Sequence, residues 1–425
     1  MRRKVERILS FEHPPGTGIA SPAPDPRRNY LLYAHVPFCE ELCPYCSFNR
    51  VRLERDLARR YFGSLRRELA LYDDGGWSFD ALYVGGGTPT VLPEELAAFI
   101  EDTRRRWPIG SISVETNPNH LTPEILGLLE AAGVNRLSVG VQSFENGILR
   151  SIGRYERYGS GDQIARRLEG TRGRFDTVNV DLIFNYPGQS EEMFLRDLDA
   201  VRRLELDQVT FYPLMAARGV RRRLEELGTI DPRQERRLYY RIREQLGDDY
   251  EPSSAWCFSR RKPGSREERP MIDEYIVQQE EYAGLGSGSF GYAGGVIYAN
   301  TFAIPEYIER VDRGELPVVA ARRFSRAERV RYDFLMHLFG GRADLEELEA
   351  RHGPEAKRRL WKELLFLRLT RAVRYGEAGR ESLALTRRGY YFWIILMREF
   401  FSGVNNFREH CLTLQPEGES LGSLV

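Results

Sequence analysis

Histidine and cysteine are scarce in this chain, which has six histidines and five cysteines among 425 residues. Three of the cysteines lie together between residues 39 and 46, so too few separate thiols remain for a framework of disulfides. A reducing, cytoplasmic setting fits this usage. An excess of charge is also absent: 62 basic residues balance 62 acidic ones, which argues against a nucleic-acid partner.

Long apolar runs are missing as well. A helix needs about 20 apolar residues to cross a bilayer, and the longest such run here, YYFWIILM, covers only residues 390–397. The first residues, MRRKVERILS, lack the apolar core and the cleavage site of a secretory signal. We therefore expect a cytoplasmic protein whose apolar C-terminal segment allows peripheral contact with the inner face of the membrane.

The sequence does contain a regular alternation of strand-length apolar runs and helical patterns. Strands that are apolar along nearly their whole length are typical of a parallel sheet buried on both faces. The predicted strands cover residues 30–36, 81–85, 112–116, 136–141, 177–184 and 208–214. The predicted helices lie near residues 52–72, 93–106, 123–132, 145–152, 162–170, 190–204 and 233–246. Six units are too few for an eight-stranded barrel, so the pattern predicts an α/β fold, either an incomplete parallel (β/α)6 barrel or an open sheet.

Three parts are predicted along the chain. Residues 1–28, rich in proline and glycine, form an extended lead-in. Residues 29–303 carry the strand–helix alternation and form the catalytic domain. Residues 304–425 follow helical patterns for most of their length and form a small, mostly helical C-terminal domain that includes the aromatic segment.

Unusual residue types follow each predicted strand. The stretches after the six strands are PFCEELCPYC, GGGTPT, NPN, QSFE, NYPGQ and MAARG. Because the carboxyl ends of parallel strands meet at one edge of a sheet or barrel, these stretches are expected to form one active site.

The first of these stretches holds Cys39, Cys43 and Cys46, which have the spacing CxxxCxxC. Thiolates favour iron–sulfur clusters, and a [4Fe–4S] cube normally takes four of them. With three, one iron stays open to an exchangeable ligand, which suits an enzyme that must bind a substrate there. Two alternatives remain open from the residues alone: a zinc site completed by His35 or a distant cysteine, and three unrelated thiols.

CxxxCxxC directly after the first strand, followed by GGGTPT after the second, resembles the radical SAM superfamily. The ordered set YAHVPFCEELCPYC, YVGGGTPT, SVETNP, RLSVGVQSF, DLIFNYPGQ and GLGSGSFGY resembles its coproporphyrinogen III oxidase-like, or HemN-like, branch. This resemblance implies a [4Fe–4S] cluster whose open iron binds S-adenosylmethionine. It also implies reductive cleavage of that cofactor to a 5′-deoxyadenosyl radical, with the electron coming from a low-potential donor such as flavodoxin or ferredoxin.

The resemblance also implies roles for individual residues around the cofactor. The glycines of GGGTPT let backbone amides approach a carboxylate, although an ordinary flexible turn would explain them too. Asp181 could instead cap a helix or belong to a core network, and Arg154 could be a surface charge. The implied cofactor-binding residues are Tyr33, Tyr45, Gly86, Gly87, Thr88, Glu115, Gln142, Arg154, Asp181, Pro213 and Phe290, beside the catalytic, metal-binding residues Cys39, Cys43 and Cys46.

Two departures from the branch bear on the reaction. The coproporphyrinogen enzymes have a further cysteine two residues after the triad, where this chain has Phe48. The heme chaperones carry a His-Asn…Tyr-Trp motif, whereas residues 257–286 here contain no histidine. Both departures favour the class C methyltransferases of the same branch. Their chemistry implies two S-adenosylmethionine molecules and addition of a methyl-derived carbon radical to an sp² carbon of the substrate.

The aromatic segment GYYFWIILMREFFSGVNNFREH, residues 389–410, bears on the substrate. Its apolar residues surround the helix, which is typical either of core packing or of the wall of an apolar site. The segment resembles that of the enzymes that methylate menaquinone, so a flat lipophilic acceptor such as menaquinone is the predicted substrate. The alternatives are an oxygen-independent coproporphyrinogen III oxidase-like or other heme-modifying oxidoreductase acting on a tetrapyrrole, and a non-catalytic heme chaperone.

Overall fold

A long, mostly parallel sheet with helices packed against it forms the centre of the molecule. The structure, a computed structural model, describes residues 23–215, 218–228, 230–261, 271–279, 281–376 and 381–413. The predicted lead-in lies outside these ranges, apart from residues 23–28. Among the described residues, no helix is both long and apolar enough to span a bilayer.

The strands lie close to where the apolar runs predict them. Their bounds are β1 Tyr30–Val36, β2 Phe38–Cys39, β3 Val51–Arg52, β4 Phe79–Gly86, β5 Ser111–Thr116, β6 Arg136–Gln142, β7 Thr177–Phe184, β8 Gln208–Pro213, β9 Tyr250–Pro252, β10 Cys257–Arg260, β11 Tyr282–Leu285, β12 Phe290–Ala293, β13 Val296–Asn300, β14 Val318–Arg323, β15 Arg342–Asp344, β16 Val373–Tyr375 and β17 Ser382–Leu385. The six predicted strands are β1 and β4 to β8, which lie side by side and parallel.

The helices connect these strands. Their bounds are α1 Arg55–Asp74, α2 Pro93–Arg106, α3 Pro123–Ala132, α4 Asn146–Ser151, α5 Tyr155–Tyr158, α6 Gly161–Glu169, α7 Glu191–Leu204, α8 Arg218–Leu227, α9 Pro232–Leu246, α10 Ile304–Asp312, α11 Arg326–Phe339, α12 Leu345–His352, α13 Ala356–Arg359, α14 Trp361–Leu369 and α15 Arg387–Thr413. Local chemistry fixes several ends. In α3 a proline begins the helix, the Thr122 hydroxyl accepts from the amide of Ile125 at 3.4 Å, and Gly133 ends it at φ +90°.

The sheet is open but strongly curved. Its order is β14-β13-β12-β11-β1-β4-β5-β6-β7-β8-β10-β9, so its two edges never pair. The carboxylate of Asp273, on the segment between β10 and β11, nevertheless accepts hydrogen bonds from side chains of β4, β6, β7 and β8. The donors are Tyr83, Arg136, Ser138, Asn179, Thr210 and Tyr212, at 2.7 to 3.4 Å. One carboxylate reaches four strands because the sheet wraps around it, as in the predicted incomplete barrel.

Two parts of the sheet were not predicted. A seventh parallel strand, β11, pairs with the free side of β1. Antiparallel strands extend both edges, and β14 continues the sheet beyond residue 303, the predicted end of the catalytic domain. The region after β14 is helical as predicted, with one small antiparallel sheet of order β15-β17-β16 added. The division into domains stays a prediction.

Candidate active site

The three clustered cysteines lie on the loop that follows β1. Cys39 ends the short strand β2, which pairs with β3 and closes the loop behind Cys43 and Cys46. Cys39 is buried, and the other two are half-buried. The amide of Cys46 donates to the carbonyl of Cys43 at 3.2 Å, which holds the second half of the loop as a turn. The loop therefore presents the three thiols from one compact piece of backbone.

Two guanidinium groups lie against this loop. Arg50 donates to the carbonyls of Cys43 and Cys46 at 2.6 and 2.9 Å, and Arg154 Nη1 lies 3.5 Å from the sulfur of Cys43. Nearby positive charge stabilises thiolates and an anionic cluster. Burial raises the pKa of Cys39 to about 12, so a bound metal is what would deprotonate this thiol.

The donor set fits an iron–sulfur cluster, because soft thiolates and flanking cations are the surroundings such a cluster prefers. In the part of the chain that the structure describes, no three His, Cys, Asp or Glu side chains are close enough together to form a metal-binding group. The three thiols would therefore have to turn toward one another when a cluster binds.

The glycine-rich loop at the end of β4 packs directly against the cysteine loop. A Cβ atom on Gly86, whose φ is +118°, would lie 2.7 Å from the ring of His35. A Cβ on Gly87 would lie 2.7 Å from the carbonyl oxygen of Phe38 and 3.0 Å from the sulfur of Cys39. These glycines are therefore required by close approach, and the alternative of an ordinary flexible turn is wrong.

A hydrogen-bonded chain joins the glycine-rich loop to the next strands. The Asn117 side chain donates to the Thr88 hydroxyl at 2.7 Å and accepts from Arg154 at 2.8 Å. Arg154 also donates to the carbonyl of Gly140 at 2.5 Å and is only 3% exposed. The surface-charge alternative for Arg154 is therefore wrong. Asn117 was not among the predicted site residues, although the NPN stretch after β5 was the signal that could have identified it.

Glu115 faces the same loop from β5. Its carboxylate accepts from the Gly86 amide at 3.0 Å and from the Tyr83 hydroxyl at 2.8 Å. Burial, together with the nearby charge of Asp273, raises the pKa of Glu115 to about 7. A cationic group beside this carboxylate would favour its ionised form, which is the role the resemblance implies.

Asp181 belongs to the polar network inside the barrel. It accepts from Ser138 at 3.2 Å and from Asn179 at 2.8 Å, and it lies within hydrogen-bonding reach of Asp273. Burial and the charge of Asp273 raise the pKa of Asp181 well above its usual range, so Asp181 is the protonated partner of the two. Asp181 therefore has partners in the core network, and its contact with the cofactor stays a prediction.

Asp273 is the charged member of this pair. Burial alone would raise its pKa, but the charge of Arg136 together with hydrogen bonds from Asp181, Tyr83 and Arg136 outweighs burial and lowers the pKa to about 2. The distance between Arg136 Nη1 and Asp273 Oδ1 is 3.0 Å, and both side chains are almost fully buried. Neither residue was predicted as functional, because only the curvature of the sheet brings the segment that carries Asp273 into the barrel.

The remaining predicted residues line different parts of the barrel opening. Tyr33 stacks on Tyr275 with ring centroids 5.2 Å apart, inside the barrel. Tyr45 is buried on the cysteine loop, edge-on to the ring of Tyr186 at 5.8 Å. Tyr33 thus lies on β1, before the cysteine loop, and Tyr45 lies within the loop itself.

Gln142, Pro213 and Phe290 lie at or near strand ends. Gln142 ends β6 with a left-handed φ of +73°, a strained conformation that is characteristic of functional positions. Pro213 is the last residue of β8. Phe290 begins β12 and lies near Phe407 of α15, with ring centroids 6.2 Å apart.

A zinc site completed by His35 has no support in the geometry. His35 Nε2 donates to the carbonyl of Asn49 at 2.8 Å, so Nδ1 is the nitrogen that accepts from the Tyr33 hydroxyl at 2.9 Å. Both ring nitrogens are thereby used, and burial lowers the pKa of His35 to about 4. Cys257, the other described cysteine, is fully buried on β10.

The aromatic helix α15 ends against the cysteine loop. Asn405 donates to the Ser47 hydroxyl at 2.8 Å, and Arg408 donates to the Ser47 carbonyl. Arg398 pairs with Glu235 of α9. Asn405 and Arg398 are therefore engaged with the protein itself.

The aromatic side chains of α15 divide into two groups. Tyr390, Tyr391 and Trp393 are buried and pack as core. Further along, Phe401 lies 5.4 Å from Trp256 and Phe407 lies 6.2 Å from Phe290, as measured between ring centroids. Core packing is thus confirmed for the first half of the segment, and the second half is half-buried against the same core, so its role as the wall of an apolar site stays a prediction.

A partial parallel barrel with a three-cysteine loop after its first strand defines a radical SAM protein, and comparison with known proteins agrees. The radical SAM superfamily profile matches residues 33–201. The heme chaperone HemW of Mycobacterium tuberculosis is 32% identical over 315 residues, which cover 70% of this chain and 78% of that protein. The oxygen-independent coproporphyrinogen III oxidase of Pseudomonas aeruginosa is 26% identical over 329 residues, which cover 72% of this chain and 71% of that protein.

The solved structure of the Escherichia coli coproporphyrinogen III oxidase HemN has the same fold. It superposes with a TM-score of 0.73 at 21% identity, covering 90% of this chain and 91% of that one. The chain belongs to the HemN-like branch of the radical SAM superfamily. Its cofactors are accordingly a [4Fe–4S] cluster and S-adenosylmethionine. The predicted resemblance to menaquinone methyltransferases gains no support from the relatives named above, which are a heme chaperone and coproporphyrinogen oxidases.

Proposed function

We propose that this chain is an enzyme that uses S-adenosylmethionine to act on a tetrapyrrole-like molecule or another flat, apolar ring. The observation that carries the proposal is the half-buried aromatic pair Phe407 and Phe290, on the part of α15 that Asn405 ties to Ser47 of the cysteine loop. Rigid aromatic faces favour a large planar ligand through stacking and apolar contact. The relatives described above, a heme chaperone and a coproporphyrinogen oxidase, also support a tetrapyrrole as the ligand.

The residues of the site have separable tasks. Cys39, Cys43 and Cys46 would hold the cluster, and the Gly86–Gly87 backbone would meet the methionine part of the cofactor. Glu115 would face its ammonium group. When bound, the cluster would supply the electron for reductive cleavage of S-adenosylmethionine to methionine and a 5′-deoxyadenosyl radical. That electron would come from a donor such as flavodoxin or ferredoxin.

The adenosyl half would lie deeper in the barrel opening. Arg154 and Gln142 would contact it near the ends of the strands, while Asp181 would offer a protonated carboxyl group because Asp273 holds the negative charge. Tyr33, Tyr45, Thr88, Pro213 and Phe290 would shape the surrounding walls. These assignments rest on the family resemblance together with the positions described above.

Two reactions fit the site. Oxidative or decarboxylating chemistry on a tetrapyrrole is favoured by the relatives. Methyl transfer to an sp² carbon, with a second S-adenosylmethionine, is the second candidate. Phe48 favours methyl transfer, because this side chain, 53% exposed, stands where the coproporphyrinogen enzymes have a cysteine. Cys257, the other described cysteine, is buried and cannot replace it. Methyl transfer needs no additional thiol.

One anaerobic experiment separates these reactions. The reconstituted protein would be incubated with reductant and S-adenosylmethionine carrying a deuterated methyl group, in parallel with coproporphyrinogen III, heme and menaquinone. Products would be identified by mass spectrometry. Loss of CO₂ or another unlabelled change in a tetrapyrrole would support the first reaction, and label in any acceptor the second. Tight heme binding without cofactor cleavage would overturn both and indicate a chaperone.

Substitution of the cluster ligands is a direct prediction of this proposal. Cys43→Ala is expected to abolish the reducible cluster and the formation of 5′-deoxyadenosine, measured by visible absorption and by chromatography. Cys257→Ala is the matched control, because it removes a buried thiol outside the loop and should keep both signals. A Cys43→Ala protein that cleaves the cofactor at the normal rate would show the ligand assignment to be wrong.

A further inference from the structure

Most of the exposed large apolar side chains of the described residues lie in one place on the surface. The described chain exposes seven large apolar side chains, and five of them lie between residues 361 and 375. The five are Trp361, Leu365, Phe366, Leu369 and Tyr375, with exposed fractions of 56%, 46%, 46%, 74% and 54%. We call this surface, formed by α14 and the neighbouring strand β16, the 361–375 patch. Such a concentration marks an interaction surface, whereas single exposed apolar residues do not.

Helix α14 has too many apolar residues for its position. Its sequence WKELLFLRL places apolar side chains on all sides, yet only Leu367 among them is buried. A helix that is apolar all round normally lies inside a protein or in contact with lipid. One of its aromatic side chains, Phe366, contacts Phe392 of α15, with ring centroids 6.3 Å apart. The exposed side therefore lacks the partner that its composition calls for.

The charge around the patch identifies the partner. Between residues 361 and 375 the chain has four basic residues and one acidic residue, Glu363. Glu363 is engaged by Arg331 at 3.1 Å. Lys362, Arg368, Arg371 and Arg374 form no ion pair with any described residue, and Lys362 lies 5.3 Å over the ring of Trp361. The patch is thus apolar in the middle and cationic at its border.

We propose that the 361–375 patch docks the protein on a membrane surface that contains anionic lipids. Tryptophan and leucine on one side of a short helix insert at the level of the headgroups, and flanking lysine and arginine attract anionic lipid. A protein partner would have to match both features, whereas an anionic bilayer provides them everywhere. The proposal is independent of the proposed function, since no residue of the patch belongs to the candidate active site.

The experiment uses vesicles and the full chain. Vesicles of phosphatidylglycerol and phosphatidylcholine would be compared with vesicles of phosphatidylcholine alone, by co-sedimentation. We expect binding to the anionic vesicles that weakens as salt is added. Leu365→Ser with Leu369→Ser should reduce the partition coefficient by about tenfold or more, since these side chains supply the apolar contact. Leu227→Ser, at an exposed leucine of α8, is the matched control and should change nothing.

The charge is tested separately. Replacing Lys362, Arg368, Arg371 and Arg374 with glutamine should reduce binding to the anionic vesicles by about tenfold or more, because each cation near the surface attracts anionic lipid. A triple variant with glutamine at Arg55, Arg60 and Arg166, exposed positions elsewhere, is the control and should bind as the native protein does.

Fluorescence provides a readout specific to the patch. The chain has five tryptophans, and Trp77, Trp107, Trp256 and Trp393 are at most 5% exposed. A blue shift on adding vesicles should therefore come from Trp361 and disappear in Trp361→Phe. Absence of vesicle binding would overturn the proposal, as would binding that survives the patch variants. A dimer in light scattering that Leu365→Ser dissociates would overturn it in favour of a second copy of the chain.

Discussion

Asp273 is the residue on which the interior of the barrel converges. Its carboxylate collects donors from four strands and is the sole acidic partner of the buried Arg136 among the described residues. Burial and the negative charge of Asp273 both raise the pKa values of the neighbouring acids Asp181 and Glu115. Asp273 thereby adds to the effect of burial at two residues that the family resemblance places at the cofactor.

Glu115 gives a prediction at this scale. Its pKa is raised to about 7, so the ionised form that would bind the ammonium group of S-adenosylmethionine is lost as the pH falls below that value. Affinity for the cofactor should therefore decrease as the pH is lowered from 8 to 6, approaching about tenfold per pH unit at the acidic end. Equilibrium dialysis under anaerobic conditions would measure it.

The Glu115→Gln variant should bind the cofactor weakly and with little dependence on pH. Glu169→Gln, at an exposed position on α6, is the control and should follow the native curve. Identical pH curves for native protein and Glu115→Gln would exclude the ammonium role of Glu115.

The strands and helices of the barrel were well predicted where neighbouring residues along the chain determine them. The six central strands have continuous apolar runs, and α2 and α3 begin at the prolines that the sequence indicated. Strand β11 was missed because YAGL is short and sits in a glycine-rich stretch without a strand-length apolar run. Asp273 and Arg136 were missed because their partners come from distant strands, and no spacing along the chain encodes the curvature that joins them. Asn117 had a local signal, the NPN stretch after β5, that could have identified it.

Helix α1 illustrates how one element is tied to the glycine-rich segment after β11. The fully buried carboxylate of Glu68 accepts from the Gly286 amide at 2.9 Å and from the Tyr307 hydroxyl at 2.7 Å. Burial raises its pKa from 4.5 to about 8, which outweighs the effect of these donors. The folded state thus prefers the protonated acid, and this contribution to stability is present at low pH and lost as the pH rises through the raised pKa.

Glu68→Gln tests this coupling. Between pH 5 and 8 the native protein should lose stability relative to Glu68→Gln by about 1.4 kcal/mol per pH unit, because the unfolded state releases a proton that the folded state retains. Urea unfolding at several pH values would measure the difference. Glu101→Gln, at an exposed position of α2, should parallel the native protein. A Glu68→Gln protein with the native pH dependence would disprove the assignment.

At the scale of the whole molecule, α15 joins the C-terminal region to the barrel. Two ion pairs connect it to α9. Arg398 meets Glu235, whose side chain is 2% exposed, whereas Arg387 meets Glu244, with side-chain exposures of 55% and 41%. A buried carboxylate without a positively charged partner reduces the free energy of unfolding strongly, whereas an unpaired carboxylate at the surface reduces it little.

Removing each arginine should therefore have unequal effects. Arg398→Ala should reduce the free energy of unfolding by about 3–5 kcal/mol, because Glu235 would remain buried without its partner. Arg387→Ala, between the same two helices, should cost less than about 1 kcal/mol. Denaturant unfolding would compare them. Equal losses would show that the buried pair does not fasten α15 to the barrel.

The contact between Asn405 and Ser47 has a consequence for the order in which the protein is made. These residues are 358 positions apart, and Ser47 directly follows the last cysteine of the loop. At a synthesis rate of about 5–20 residues per second, roughly 20 to 70 seconds pass between synthesis of the cysteine loop and synthesis of Asn405. In the nascent chain the three thiols are therefore exposed before α15 can contact their loop. We expect the cluster to assemble on the folded loop only after translation has ended.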